Sequence, residues 1–316
     1  MKNIETKWLQ DFLTLAELKN FSHAAAVRNV TQPAFSRRIK SLEAELGLVL
    51  IERSKTPIEL TLCGKQFKTT ALSILQQIDE EVSRLAGSSF DGRHTVRLSA
   101  AHSISISLLP KLHSCLLDPQ LNTRLSVVAN EVDDAVELLI DGKCDFLFSF
   151  YEDRLQVAPY RSIYLGRSYL YCVSAVDENG EVLFDLANKD DVPCLDYTPE
   201  SYMGRALHRA NSKLTNNTVC SSSMTDFIKA LVLQGKGISW LPDYAIKDEL
   251  ASGQLKILPQ REPVPLDLYV YRYYSKLHSS CEAMWNELSK ICPIKELTGQ
   301  SLIELSQPES QLTDKK

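Results

Sequence analysis

Apolar side chains recur along the first part of the chain at helical spacing, with polar residues falling on the opposite faces. Trp8, Phe12 and Leu15 stand at i, i+4 and i+7, which predicts one face of a short helix. Phe21 precedes Ser22, a good N-cap, and the alanine-rich run His23 to Val27, whose small residues admit a close neighbour. Asn29-Val30-Thr31 breaks the pattern, and Thr31 is placed to cap a third helix that tolerates Pro33 in its first turn. There Phe35, Ile39, Leu42 and Leu46 form one stripe. At about 100° per residue, Pro33, Ser36, Arg37 and Lys40 point the other way, and Gly47 ends the helix. Leu50 to Thr61 reads as two short strands around Ser54-Lys55-Thr56-Pro57, a wing.

From Thr61 to Leu85 the apolar positions Phe67, Ala71, Ile74, Ile78, Val82 and Leu85 come close to a heptad seam. A helix of this kind with no core beside it needs a partner, and a second copy of the chain is expected; packing on its own body is the alternative. Gly87-Ser88-Ser89 to Gly92 is the expected hinge. Beyond it, strand-like Val96–Ala101, Arg124–Val128 and Phe146–Phe150 alternate with helical Ser105–Leu117 and Val132–Asp141. A second set follows: Ser168–Val173, Pro193–Tyr197, a helix Met224–Gln234, Gly237–Pro242, Leu266–Tyr273 and a helix Cys281–Cys292. Such alternation predicts parallel α/β layering with right-handed crossovers. Past Pro293 the chain turns polar, and a mobile tail is expected.

Charge sharpens this picture. The 316 residues are 44% hydrophobic and 24% charged, an ordinary globular composition long enough for two or three domains. The formal charge of −5 hides a split: residues 1–68 carry 11 Lys and Arg against 7 Asp and Glu, the rest 24 against 33. A basic module on an acidic body suggests a polyanion partner for that module alone. A helix fits the DNA major groove, where Arg37 could donate twice to one guanine, with Arg38 and Lys40 on phosphate. Arg53 on the wing could reach phosphate or the minor groove. Thr31, Gln32, Pro33, Ser36, Arg37, Arg38, Lys40 and Arg53 are therefore the candidate DNA contacts. The rival is a small helical bundle with a solvated basic face.

Cys63, Cys115, Cys144, Cys172, Cys194, Cys220, Cys281 and Cys292 are scattered with no CxxC pair, which reads as reduced thiols in the cytoplasm rather than disulfides or zinc. Met1 to Leu15 carries Glu5, Lys7 and Asp11, so no signal peptide is expected, and no apolar run spans a bilayer. In the body, ligands of open α/β folds sit at strand ends. Ser99, His102 and Ser103 mark one such corner, Ser149 a second, Tyr202 and Arg205 a third, and Ser223 a fourth. Each is also readable as a cap or a core polar group. No strand–Gly-x-Ser-x-Gly–helix elbow occurs, Gly235-Lys236-Gly237 reads as a turn, and Asp133-Asp134 and Asp190-Asp191 read as solvated pairs. Neither an enzyme, a cofactor nor a metal is expected.

The stretch Phe21 to Gly64, with Ala24-Ala25, Thr31-Gln32-Pro33-Ala34-Phe35-Ser36-Arg37, Leu42-Glu43, Leu46-Gly47, Arg53 and Leu60-Thr61, resembles the LysR-type transcriptional regulators. Ile51 and Cys63 depart from the usual phenylalanine and alanine, both at packing positions. The resemblance implies a winged helix-turn-helix, a dimerising linker helix and a two-lobed, periplasmic-binding-protein-like α/β effector domain. The expected boundaries are 1–65, 66–92 and 93–292, with a tail 293–316. It also implies double-stranded DNA as partner, a dimer or tetramer, and RNA polymerase as a further candidate.

Ile4-Glu5-Thr6-Lys7-Trp8-Leu9, Asn20-Phe21-Ser22, Ser201-Tyr202-Met203-Gly204-Arg205 and Ser222-Ser223-Met224 look like the hypochlorite-responsive branch of that family. There, methionine oxidation is the proposed trigger, which singles out Met203 and Met224; the first body helix has no methionine for a third site. From spacing alone both are readable as core fillers. A small anion in the interlobe cleft, or a cysteine as sensor, are the competing expectations. Outside this class, the alternative is a cytosolic small-molecule binding protein with an oligomerisation module.

Overall fold

The computed structural model describes residues 3–85, 94–112, 116–117, 123–186, 192–214, 217–274 and 277–294. The expected hinge at Gly87–Gly92, Cys115, Asp190-Asp191 and most of the polar tail lie outside them.

The first module is three helices and a wing: α1 (Thr6–Leu18), α2 (Phe21–Val27), α3 (Gln32–Leu46), β1 (Ile51–Glu52) and β2 (Glu59–Leu60). Leu9, Phe12, Leu15 and Ala16 form the buried face of α1, with Trp8 half-buried against the same core, so the expected face holds and extends to Leu9 and Ala16. Asn20, not Ser22, caps α2: its side chain accepts from the His23 N–H at 2.9 Å. That places Phe21 inside the helix, edge-on to Phe35 with ring centroids 6.2 Å apart. Ala24 and Ala25 are buried, as a close helix approach requires. Thr31 occupies the N-cap of α3, but its hydroxyl makes no cap bond. Phe35, Ile39 and Leu42 are buried, and Gly47 at φ +71° turns the chain out.

A long helix, α4 (Leu62–Leu85), follows. Thr61 Oγ1 accepts from the Gly64 N–H, and Gly64 has no room for a side chain, since a Cβ would sit 2.1 Å from the Leu50 carbonyl oxygen. Its first half is not the partnerless helix of the sequence reading. Phe67 packs on Phe12 at 5.5 Å, and Ala71 and Leu75 join the same core. The second half is bare: Ile74, Ile78, Val82 and Leu85 are 39% to 72% exposed.

The body contains β3 (His94–Ala101), α5 (His102–Ser107), β4 (Thr123–Asn130), α6 (Val132–Ile140), β5 (Phe146–Phe150), β6 (Tyr160–Ala175) and β7 (Cys194–Tyr197). There follow α7 (Tyr202–Arg209), β8 (Thr218–Ser222), α8 (Thr225–Leu233), β9 (Ser239–Pro242), α9 (Asp243–Ala251), β10 (Leu255–Ile257), β11 (Val264–Tyr273) and α10 (Ser279–Ile291). The main sheet runs β10-β6-β11-β5-β3-β4, with β9 also on β6, and β7 pairs with β8. Only β4, β3 and β5 run parallel within the main sheet; β11, β6, β9 and β10 pair antiparallel, so the layering is mixed rather than all parallel. The long strand β6 makes this possible. Tyr160 to Leu170 pairs with β11, and Leu170 to Ala175 with β9 and β10, so one strand serves both lobes.

The helix expected over Ser105–Leu117 starts earlier and is interrupted after Ser107, while residues 113–115 lie outside the described ones. α5 covers His102–Ser107, and a short 3-10 turn at Leu109–Leu112 takes up Pro110, which has no N–H to continue an α-helix.

Candidate DNA-reading face and interlobe cleft

On α3 the expected contacts gather as one face: Thr31, Gln32, Pro33, Arg37 and Lys40 are exposed, and Ser36 is half-buried beside them. Among the described residues neither Arg37 nor Lys40 has an ion-pair partner. Arg38 and Arg53 are committed elsewhere. Arg38 Nη1 lies 3.1 Å from Asp11 Oδ2, and Arg28 Nε lies 2.8 Å from Asp11 Oδ1. Asp11 is fully buried, and two guanidinium partners are what make a buried carboxylate tolerable. Arg53 Nη2 lies 2.7 Å from Glu43 Oε2, and its guanidinium stands over the Phe21 ring at 5.7 Å. Glu43 also accepts from the Leu50 and Ile51 N–H groups, so Arg53 sits in the joint that fixes the wing to α3.

In the body, His102, Ser103, Tyr202, Met203 and Ser223 come together around a cavity of about 20 Å³, with Glu131 and Thr225. Contacts from one lobe to the other shut it. Ser103 Oγ and the Tyr244 hydroxyl share a hydrogen bond at 2.8 Å, Ser223 Oγ donates to Glu131 Oε1 at 2.7 Å, and Tyr202 stacks on Phe150 at 4.5 Å. Arg205 holds Asp133 through both terminal nitrogens, at 3.0 and 2.8 Å. Ser99 and Ser149 are not part of this group. Both are fully buried in the sheet, away from the cavity lining, with hydroxyls that find no partner among the described residues.

The two methionines part company. Met203 is 5% exposed and lines the cavity, whereas Met224 is 45% exposed at the N-cap of α8 and does not. Burial pushes the Cys144 and Cys172 thiols up to about 12 and raises those of Cys194 and Cys281 further, so none of these four offers a thiolate near neutral pH. Asp243, at the head of α9 beside the cleft, is pushed up to about 6 by burial, although Ser168 Oγ and the Tyr169 and Tyr244 N–H groups donate to it. Among the described residues no group of three or more His, Cys, Asp or Glu is arranged to hold a metal ion, and no helix is long and apolar enough to cross a membrane.

Sequence reasoning missed Asp11, Glu43, Glu131, Asp133 and Tyr244. Asp133 was read as a solvated carboxylate. Its partner lies 72 residues away, and no local spacing announces it.

The family model for bacterial regulatory helix-turn-helix proteins of the lysR family matches residues 6–65, and that for the LysR substrate binding domain matches residues 91–292. The chain is 43% identical over 295 residues to the HTH-type transcriptional regulator YjiE of Escherichia coli K12, covering 92% of this chain and 96% of the relative. It resembles the structure of Vibrio fischeri DarR in complex with DNA, at 42% identity and TM-score 0.58, covering 91% of this chain and 99% of that one. It also resembles full-length HypT from Salmonella typhimurium, described as a hypochlorite-specific LysR-type transcriptional regulator, at 39% identity and TM-score 0.57, covering 92% and 99%.

Proposed function

The chain belongs to the LysR family of bacterial DNA-binding transcriptional regulators, and on that premise we propose that it adjusts transcription when an oxidant modifies Met203 in the interlobe cleft. The observation that carries this reading is the size of the cleft. A cavity of about 20 Å³ admits a water-sized occupant and excludes an organic acid in this closed arrangement. Met203 lines that space, and one similar protein is described as hypochlorite-specific.

Hypochlorous acid passes its oxygen to the thioether sulfur, chloride leaves, and the hydrogen is released as a proton. The sulfoxide is a polar acceptor where an apolar side chain was packed, beside the hydroxyls of Ser103, Ser223 and Thr225. Met203 shares α7 with Arg205, so repacking it strains the bridge to Asp133 and the lobe closure with it. The raised thiol pKa values of Cys144, Cys172, Cys194 and Cys281 make those four poor competitors for the oxidant.

On DNA, Arg37 reads a base and Lys40 meets phosphate, with Gln32, Pro33 and Ser36 beside them. Two chains pair along Ile74, Ile78, Val82 and Leu85, which places two winged modules on one pseudo-palindromic site. In this reading residues 1–65 bind DNA, 66–92 pair, 93–292 sense, and the regulator works in the cytoplasm as a dimer or tetramer that contacts RNA polymerase.

The test is titration of a selected operator with wild type, Met203→Ile and Met224→Ile, before and after limited hypochlorite, with the sulfoxide located by mass spectrometry. Wild type and Met224→Ile should change affinity on oxidation, and Met203→Ile should not. A full response in Met203→Ile that disappears on cysteine replacement overturns the methionine mechanism. A response to a metabolite without oxidant favours a small anion entering an opened cleft.

A further inference from the structure

Helix α7 has two working faces. Tyr202 and Met203 line the cleft, while Arg205, Leu207 and Arg209 border a second cavity of about 780 Å³ outside it. That volume lies within the range of small-molecule sites. Tyr197, Leu207 and Trp240 form its apolar floor, although they are only 5%, 9% and 2% exposed, and the Trp240 Nε1–H is already satisfied by the Ser212 carbonyl oxygen at 2.9 Å. Arg205, Arg209 and Lys213 supply positive charge. Asp196, the one carboxylate among the lining residues, is occupied as an acceptor by the Cys194 thiol and the Thr218 hydroxyl.

We infer that this cavity is a second ligand site, for an organic anion with a flat apolar body, and that its occupant competes with Asp133 for Arg205. The body of such a ligand meets the Tyr197, Leu207 and Trp240 surface, and its carboxylate meets Arg209 and Lys213. Arg205 is the link. It lines this cavity, yet both its terminal nitrogens are on Asp133 of the other lobe. An anion arriving beside it offers a second acceptor, so ligand binding and the bridge draw on one guanidinium. Arg209 makes a second link, because its positive charge acts on the Tyr202 hydroxyl, and the Tyr202 ring stacks on Phe150 across the cleft. Occupation of the outer cavity therefore loosens the closed lobes, and opening the lobes tightens the outer cavity, as linkage requires.

The experiment is calorimetric titration of the full chain with naphthoate and with its neutral counterpart naphthalenemethanol. Naphthoate should bind, and the alcohol should bind at least roughly tenfold more weakly, because only the carboxylate makes charge-assisted bonds. The double variant Arg209→Glu with Lys213→Glu changes two exposed positions, which keeps the fold intact, and should lose naphthoate binding. Asp133→Asn should tighten naphthoate several-fold by freeing Arg205, and the cleft variant Ser223→Ala, which removes the bond to Glu131, should tighten it in the same direction, as linkage predicts. Equal binding of both probes, an unchanged affinity in the double variant, or no naphthoate binding at millimolar concentration overturns the site. An Asp133→Asn variant that binds naphthoate no more tightly than wild type overturns the competition for Arg205.

Discussion

Arg205 on α7 and Asp133 in the first turn of α6 form a two-pronged ion pair between the lobes, with nitrogen–oxygen distances of 3.0 and 2.8 Å. Both side chains are largely exposed, so the pair adds little to global stability and acts instead on the balance between open and closed lobes. Arg205→Ala should change unfolding stability by less than about 1 kcal/mol. Spin labels placed on the two lobes should nonetheless report a broader, longer distance distribution. A variant with an unchanged distribution would place the closure in Ser103–Tyr244, Ser223–Glu131 and the Tyr202–Phe150 stack.

Periodicity made the first module legible because its core is local. Phe35, Ile39 and Leu42 on α3, and the turn at Gly47, follow from spacing within a few residues. Helix α7 was not legible. The sequence marks Tyr202 to Arg205 only as a corner, yet the helix needs Gly204, where a Cβ would collide with the Thr198 carbonyl oxygen. The mixed sheet was equally hidden, because β6 and β11 pair across about a hundred residues and nothing in either strand gives the direction of its partner. In the site, short-range patterns located α3 but put both Arg37 and Arg38 on DNA, the first on a base and the second on phosphate. What commits Arg38 elsewhere is Asp11, 27 residues upstream of it.

Asp11 ties α1 to α2 and α3 through Arg28 and Arg38. Asp11→Ala leaves two half-exposed guanidinium groups that water can reach, together with a small void at a fully buried position. The expected loss is about 1–3 kcal/mol of stability in the first module. Denaturation followed through Trp8 fluorescence measures it, and a change near zero would mean that the apolar core alone fixes these helices.

Asp243 carries a pH dependence. Burial raises its carboxyl from 3.8 to about 6, so the folded protein holds this proton more tightly than the unfolded chain does. Its contribution to stability is therefore complete below pH 3.8 and is lost as the pH rises through about 6. The full effect is on the order of 3 kcal/mol, from about 1.4 kcal/mol per pK unit. Asp243→Asn cannot ionise, so wild type should lose stability relative to this variant between about pH 4 and pH 6 and level off above that. Parallel melting curves for the two proteins across that range would contradict the assignment.

The exposed face of α3 yields the sharpest separation of roles. Arg37 is exposed and has no ion-pair partner among the described residues, so Arg37→Ala should relax base preference at one position per half-site and cost about 1–3 kcal/mol of specific binding. Lys40, on the same face, offers a point charge suited to phosphate. Lys40→Ala should weaken all sequences alike and reduce the slope of log affinity against log salt by about one per contact. Arg38 is half-buried on Asp11, and Arg53 is tied to Glu43. Their alanine variants should therefore lower the melting temperature of the first module before they alter the salt slope. Titrating each variant against matched and mismatched sites at several salt concentrations distinguishes the three outcomes. If Arg38→Ala kept its stability but flattened the salt dependence as Lys40→Ala does, Arg38 would be a phosphate contact and its pairing with Asp11 incidental.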